Sequence, residues 1–343
     1  MPARRPEERA AIVLAGGSGT RLNSVTESIL GRVVPKQFCP LFGDDTMLAR
    51  TLRRVALTID ERRTVTVVTR AHQEFYKSQL ANASGKGLIV QPRDQGTAPA
   101  ILYALLRMTN SSRSGAAAIF PSDHYVSNDL RFMLHVEAAF ESLKAFPELV
   151  VLLGIRPESP EVQYGWIEPG EPLFRTWFSL HHLRRIRRFC EKPSDSVAQK
   201  LYRQGCLWNS FVVVAKIQTL LALYRRTLPH LYKSFIAIRP TLGTPFEEKA
   251  ADFLYDRLSP TSFPNSILVN CFSGMAVLPV SGLEWSDLGT PERLMAVLER
   301  LGVESKPLAK HAIPMLREIK EGATAEITTA SDSLERMKIA SSQ

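Results

Sequence analysis

The 343-residue chain has only four cysteines, Cys39, Cys190, Cys206 and Cys271, far apart and with no C-x-x-C pair. That scatter excludes a zinc knuckle and a disulfide framework, and it suits a reducing compartment. No apolar run approaches the roughly 18 residues that a membrane span needs. The first nine residues, Met1-Pro2-Ala3-Arg4-Arg5-Pro6-Glu7-Glu8-Arg9, are charged and carry no apolar signal region. The expectation is a cytoplasmic protein with no membrane partner. Glycine (19) and proline (22) are too few and too aperiodic for a fibrous or low-complexity chain, and there is no internal repeat. With 45% hydrophobic and 22% charged residues, the composition is that of a globular protein with a sizeable core.

Positive charge is in excess. Lys and Arg number 43 against 34 Asp and Glu, a net of +9. Such a surplus favours anionic partners: nucleic acid, acidic lipid or phosphorylated small molecules. The chain has neither a recognition helix nor an aromatic-basic stacking platform, so nucleic acid is not expected. The arginine pairs at 53–54, 62–63, 184–185 and 187–188 read as solvated surface charge.

Ala10–Ala15 is a short, continuous apolar run ending at Gly16-Gly17, the pattern of a strand buried on both faces. Apolar or β-branched runs follow at 64–69, 87–90, 116–120 and 149–153, separated by helical stretches near 47–59, 71–81, 98–108 and 130–145. Strands alternating with helices predict a doubly wound α/β sheet. After Gly154 the pattern changes. Strands are expected at 164–168, 182–190, 211–215, 266–272 and 275–279, with helices at 194–204 (Ser194 as N-cap), 217–226 and 291–301 (Thr290 as cap). Beyond Gly302 the tail is weakly patterned.

The segment Gly16-Gly17-Ser18-Gly19-Thr20-Arg21-Leu22 directly follows the first strand. Glycines there let backbone N–H groups approach an anion, and open α/β sheets bind ligands at the carboxyl ends of their strands. No Lys stands where the Walker A pattern requires one, and G-x-G-x-x-G fails at its last position. Arg21 stands beside the turn instead, able to pair bidentately with phosphate oxygens. No Ser–His–Asp or Cys–His arrangement is recognisable.

GGSGTRL, followed by Pro35-Lys36-Gln37-Phe38, Gln91-Pro92, Gly96-Thr97-Ala98-Pro99-Ala100, Phe120-Pro121-Ser122-Asp123-His124 and Tyr164-Gly165-Trp166-Ile167, resembles the sugar-1-phosphate nucleotidyltransferases. Phe189-Cys190-Glu191-Lys192-Pro193, Leu207-Trp208-Asn209-Ser210 and Trp285-Ser286-Asp287-Leu288-Gly289 continue the likeness in family order, from about residue 10 to about 290. Within the family the chain looks most like the mannose-1-phosphate guanylyltransferases.

The resemblance implies an α/β fold with a doubly wound, mostly parallel, Rossmann-like sheet, inserted antiparallel sugar-binding strands and a short C-terminal tail. It implies one nucleotidyltransferase domain over 1–301, with a nucleotide half at about 8–155 and a sugar-phosphate half at about 156–301, before a tail at 302–343. The reaction implied is attack of a sugar 1-phosphate on the α-phosphate of an NTP, assisted by Mg²⁺. Arg21, Lys36, Lys192 and Asp123 would be catalytic. Ala15, Gly16, Gly17, Ser18, Gly19, Thr20, Gln91, Gly96, Thr97 and Ala98 would bind the nucleotide. Gly165, Glu191, Lys192 and Asn209 would bind the sugar phosphate, and Asp123 and Asp287 the metal. His124 reads as a structural neighbour, since one His and one Asp make no metal site.

Ala98-Pro99-Ala100 is similar to the guanylyl version, which favours GTP, and mannose 1-phosphate as its partner. A different hexose 1-phosphate or NTP, or a non-catalytic nucleotide-sugar sensor, are the alternatives. Two departures stand out. The stretch 23–34 is longer than in relatives and lacks their Pro, and Phe211 replaces the Gly of the relatives' WNSG. No hexapeptide repeat follows residue 302, so dimerisation through a β-helix is not expected, and the sequence sets no oligomeric state.

Overall fold

The computed structural model describes residues 9–81, 87–110, 115–173 and 183–302. The expected tail therefore lies outside the described residues beyond Gly302. Contacts divide the chain into two compact units, one of residues 9–18 and 48–287, the other of residues 19–47 and 288–302.

The first unit carries all eleven described strands: β1 (Arg9–Ala15), β2 (Thr64–Thr69), β3 (Leu88–Gln91), β4 (Ala116–Pro121), β5 (Tyr125–Val126), β6 (Val150–Ile155), β7 (Gly165–Pro172), β8 (Arg184–Glu191), β9 (Leu207–Lys216), β10 (Met275–Val280) and β11 (Trp285–Ser286). Nine form one sheet in the order β3-β2-β1-β4-β9-β6-β10-β8-β7, while β5 and β11 pair separately. The four strands from β3 to β4 are parallel, as their apolar runs predict. Every residue of β2 and β6 is buried, the signature of strands covered on both faces.

The sheet as a whole is mixed, with β8 and β9 running against the other seven strands. β9 runs antiparallel to both β4 and β6, β10 returns parallel to β6, and β8 and β7 complete the sheet antiparallel. A strand from the expected sugar-phosphate half thus sits between two strands of the expected nucleotide half. The helix Thr97–Asn110 buries ten of its fourteen residues, so it is a core helix rather than a surface one. Its Leu102 and Leu105 are fully buried with Leu220 in one apolar cluster. Each such side chain removed from water contributes roughly 1.5–3 kcal/mol before entropy is counted.

Thr290 caps the helix Pro291–Arg300 as expected, accepting from Arg293 N–H at 3.5 Å, with Pro291 at its first position. Ser194 does occupy the N-cap position of the helix Asp195–Arg203, but makes no side-chain capping bond. The strand expected over 266–272 is not formed. Pro264–Leu268 is a π-helix, continued by a turn of α-helix over Val269–Cys271. Phe263, Ile267 and Leu268 are fully buried at helical spacing, and Pro264 starts the turn where its missing N–H costs nothing.

In the second unit, the long stretch after Leu22 forms the helix Asn23–Leu30, which Gly31 ends with its N–H on Glu27 O at 2.7 Å. Thr26 Oγ1 then accepts from Val34 N–H at 3.3 Å and folds the chain back.

Candidate active site

β1 delivers Ala15 and Gly16 buried and leaves Gly17 and Ser18 exposed. Gly16 packs where no side chain fits. A Cβ there would stand 2.7 Å from Gln91 Nε2 and 2.9 Å from Thr69 Oγ1, and that hydroxyl donates to Gly16 O at 2.8 Å. Gln91, at the carboxyl end of β3, is 2% exposed, and its Oε1 accepts from Tyr255 Oη–H at 3.0 Å. With that oxygen engaged, the amide donors lie on the side of the glycine turn. Gly16 and Gln91 are thus brought together, and Thr69 and Tyr255 join them without any motif to announce them.

The turn Gly96-Thr97-Ala98 is clasped by residues 255–263. Gln95 O accepts from Thr261 N–H at 2.9 Å and Thr261 O from Ala98 N–H at 3.0 Å. Thr97 Oγ1 accepts from Phe263 N–H at 2.8 Å, and Tyr224 Oη–H donates to Ala98 O at 2.9 Å. Gly96 has φ +84° and lies so close to Thr261 that a Cβ would stand 2.6 Å from its carbonyl oxygen. Only glycine meets both conditions.

On the other side of the sheet, Gly165, Glu191 and Asn209 converge. Gly165 pairs with Glu191 across β7 and β8, and Asn209 pairs with Gly154 across β9 and β6. A Cβ on Gly165 would lie 2.6 Å from Glu191 Oε2 and 3.3 Å from Asn209 Cβ. Burial pushes the Glu191 carboxyl above its ordinary value, and the neighbouring Lys192 charge opposes that shift. Lys192 itself is exposed, takes a left-handed backbone (φ +48°) and donates its N–H to Tyr164 O at 3.2 Å. Non-glycine residues in that region are uncommon and cluster at functional sites.

The short ladder of β5 and β11 places the two expected metal carboxylates. Tyr125 opposes Ser286 and Val126 opposes Trp285. Asp123, two residues before Tyr125, and Asp287, one after Ser286, therefore leave the ladder at the same end. Asp123 is 30% exposed at its side chain. His124 packs edge-on against the Trp285 ring at 5.1 Å, with Nε2 3.9 Å from Asp123 Oδ1. Among the described residues no group of three or more His, Cys, Asp or Glu forms a metal cage. Two carboxylates without a cage fit Mg²⁺, which is held by one or two carboxylates and completed by water and substrate phosphate.

Of the other expected residues, Gly19, Thr20, Arg21 and Lys36 belong to the second unit. Arg21 is exposed in the 3₁₀ turn Thr20–Leu22. Lys36 is only 5% exposed, and its Nζ donates to Leu288 O at 3.2 Å. Leu288 is another left-handed residue, φ +48°.

A glycine turn closed against Gln91, a second cluster of Gly165, Glu191 and Asn209, and a carboxylate pair leaving the separate β5–β11 ladder define an α/β protein with a large mixed sheet. The sequence pattern of the nucleotidyl transferase family matches residues 10–302, and the chain belongs to that family. The xanthan biosynthesis protein XanB of Xanthomonas campestris pv. campestris (strain B100) is 29% identical over 301 residues, covering 85% of this chain and 60% of that protein. A mannose-1-phosphate guanylyltransferase of Klebsiella pneumoniae is 27% identical, covering 83% and 59%. The chain thus spans about three-fifths of the length of these relatives. A crystal structure described as mannose-1-phosphate geranyltransferase from Thermus thermophilus matches with TM-score 0.70 at 28% identity, over 84% of this chain and 79% of that one. No described helix is long and apolar enough to cross a membrane.

Proposed function

We propose that the chain transfers a nucleotidyl group from a nucleoside triphosphate, GTP, to a sugar 1-phosphate, mannose 1-phosphate, giving GDP-mannose and pyrophosphate. Family membership supports the reaction class, and the guanylyltransferase of Klebsiella pneumoniae, similar over most of this chain, supports the choice of substrates. The observation that carries the reading is the shared end of the β5–β11 ladder, where Asp123 and Asp287 emerge together.

In the proposed reaction an oxygen of the sugar phosphate bonds to the α-phosphorus. The bond from that phosphorus to the oxygen bridging to the β-phosphate breaks, and its electron pair leaves with pyrophosphate. No protein nucleophile takes part. Two polyanions must be held in line, so positioning and charge neutralisation supply the rate. The Gly16–Ser18 backbone binds the triphosphate, while Gln91 and the Gly96-Thr97-Ala98 turn face the base. Gly165, Glu191 and Asn209 hold the sugar hydroxyls, and Lys192 holds the sugar phosphate. Asp123 and Asp287 would hold a Mg²⁺ ion, which when bound supplies positive charge to the α-phosphate.

The test is a matrix of four NTPs against several hexose 1-phosphates, read as pyrophosphate release with and without Mg²⁺. Turnover with GTP and mannose 1-phosphate, abolished by a chelator, is expected. Nucleotide binding with no turnover for any pair would overturn the reading and leave a sensor.

A further inference from the structure

Phe211 sits where β9 breaks register. Trp208 and Asn209 pair with Ile155 and Gly154, while pairing resumes at Val213 with Leu152. Residues 210–212 therefore stand opposite Leu153 alone, a bulge of two extra residues. Phe211, in its middle, has φ +65°. Bulges re-aim side chains, and a left-handed aromatic persists only where its surroundings hold it.

The surroundings are on both sides. Toward the acceptor cluster, Phe211 N–H donates to Asn209 Oδ1 at 3.1 Å. That bond occupies the amide oxygen and leaves the NH₂ group to meet a ligand oxygen. Ser210 staples the bulge, its Oγ–H donating to Leu153 O at 2.7 Å while Oγ accepts from Val212 N–H at 3.2 Å. Toward the base-side turn, the Phe211 ring packs on Phe263, centroids 6.4 Å apart. Phe263 N–H is the donor to Thr97 Oγ1, and its ring also packs on Tyr224, which holds Ala98 O.

We infer that Phe211 is a positioning residue. Its ring, wedged on Phe263, holds the bulge in the left-handed form that orients the Asn209 amide toward the acceptor's hydroxyl oxygens. The inference rests on the proposed transfer reaction and names what sets its acceptor selectivity. Loss of the ring frees the bulge and the Asn209 amide, while the base-side turn keeps its own bonds to Thr261 and Tyr224. The effect therefore falls on the sugar 1-phosphate and on discrimination between hexose epimers.

The experiment compares Phe211→Gly, Phe211→Asn and Phe211→Tyr with the wild-type chain, measuring KM for sugar 1-phosphate and for NTP, kcat, and the ratio of kcat/KM between mannose and glucose 1-phosphates. Gly and Asn both tolerate the backbone angle, so at least one variant without the ring folds. In these two, KM for the sugar 1-phosphate should rise about fivefold to tenfold, the size of one lost neutral hydrogen bond. The epimer ratio should fall, KM for NTP should hold, and Tyr should restore wild-type values. A folded Gly or Asn variant with unchanged acceptor KM and epimer ratio overturns the inference, as does an equal rise in both KM values. A wild-type chain inactive with every substrate pair removes the transfer reading itself, and this inference with it.

Discussion

Replacing Gly96 by alanine tests whether the Gly96-Thr97-Ala98 turn is built by backbone approach or only by ligand contact. The residue has φ +84°, and a Cβ would stand 2.6, 3.0 and 3.1 Å from the carbonyl O, C and N of Thr261. These are backbone atoms with no rotamer to yield, so segment 259–263 must move. An alanine at positive φ costs about 1–2 kcal/mol. Moving Thr261 stretches its bonds to Gln95 and Ala98, each worth about 0.5–1.5 kcal/mol net. The sum predicts a loss of about 2–5 kcal/mol, large against the total stability of an ordinary domain. The assay is urea denaturation of Gly96→Ala without nucleotide, followed by NTP affinity on whatever folds. A shift in unfolding free energy below about 1 kcal/mol, the ordinary cost of a neutral substitution, would refute the reasoning. It would show that Thr261 gives way freely and that the glycine serves the ligand alone.

Asp123→Asn should leave the melting temperature unchanged and lower Mg²⁺-dependent turnover by about 100-fold or more, the usual loss when one charge-positioning group is removed; ordinary pyrophosphate release would remove the metal assignment. Glu191 has its folded pKa raised above the ordinary 4.5 by burial, so its contribution to stability is present below the unfolded value and is lost as pH rises through the folded one. Glu191→Gln should accordingly be more stable than wild type at pH 7, with the difference closing near pH 4, as read from urea midpoints at the two pH values. A gap of the same size at both would dismiss burial as the cause.

Much of the fold is legible in the sequence where burial is symmetric. β1, β2, β4 and β6 read as unbroken apolar or β-branched runs because they are buried on both faces, and the Thr290-Pro291 cap is a local signal. The same logic fails over 266–272, where the apolar run Ile267-Leu268-Val269 reads as a strand although Phe263, Ile267 and Leu268 are buried at helical spacing. β5 and β11 span two residues each, too few to leave any periodicity, yet their pairing relates Asp123 to Asp287. Gly16, Gln91, Gly165, Glu191 and Asn209 are found through family-like blocks, and the structure groups them into two clusters. Tyr255, Thr261 and Phe263 carry no such signal, because they act through backbone and ring contacts that connect positions about 160 residues apart, as in Tyr255–Gln91 and Phe263–Thr97. Phe211 shows in the sequence only as a departure from a glycine. Its φ of +65° gives the physical reason glycine suits that position.

The placement of β9 has a consequence for how the chain matures. β4 and β6 lie within the first 155 residues, but each needs Leu207–Lys216 as its neighbour. A growing chain that has released β6 but not yet β9 leaves Ala116–Pro121 open on one side and Val150–Ile155 open on both, since β10, its other neighbour, comes later still; both strands are apolar and prone to pair with another molecule. Stop codons or slow translation between residues 155 and 207 should therefore be far more damaging to soluble yield than the same interruption after residue 216.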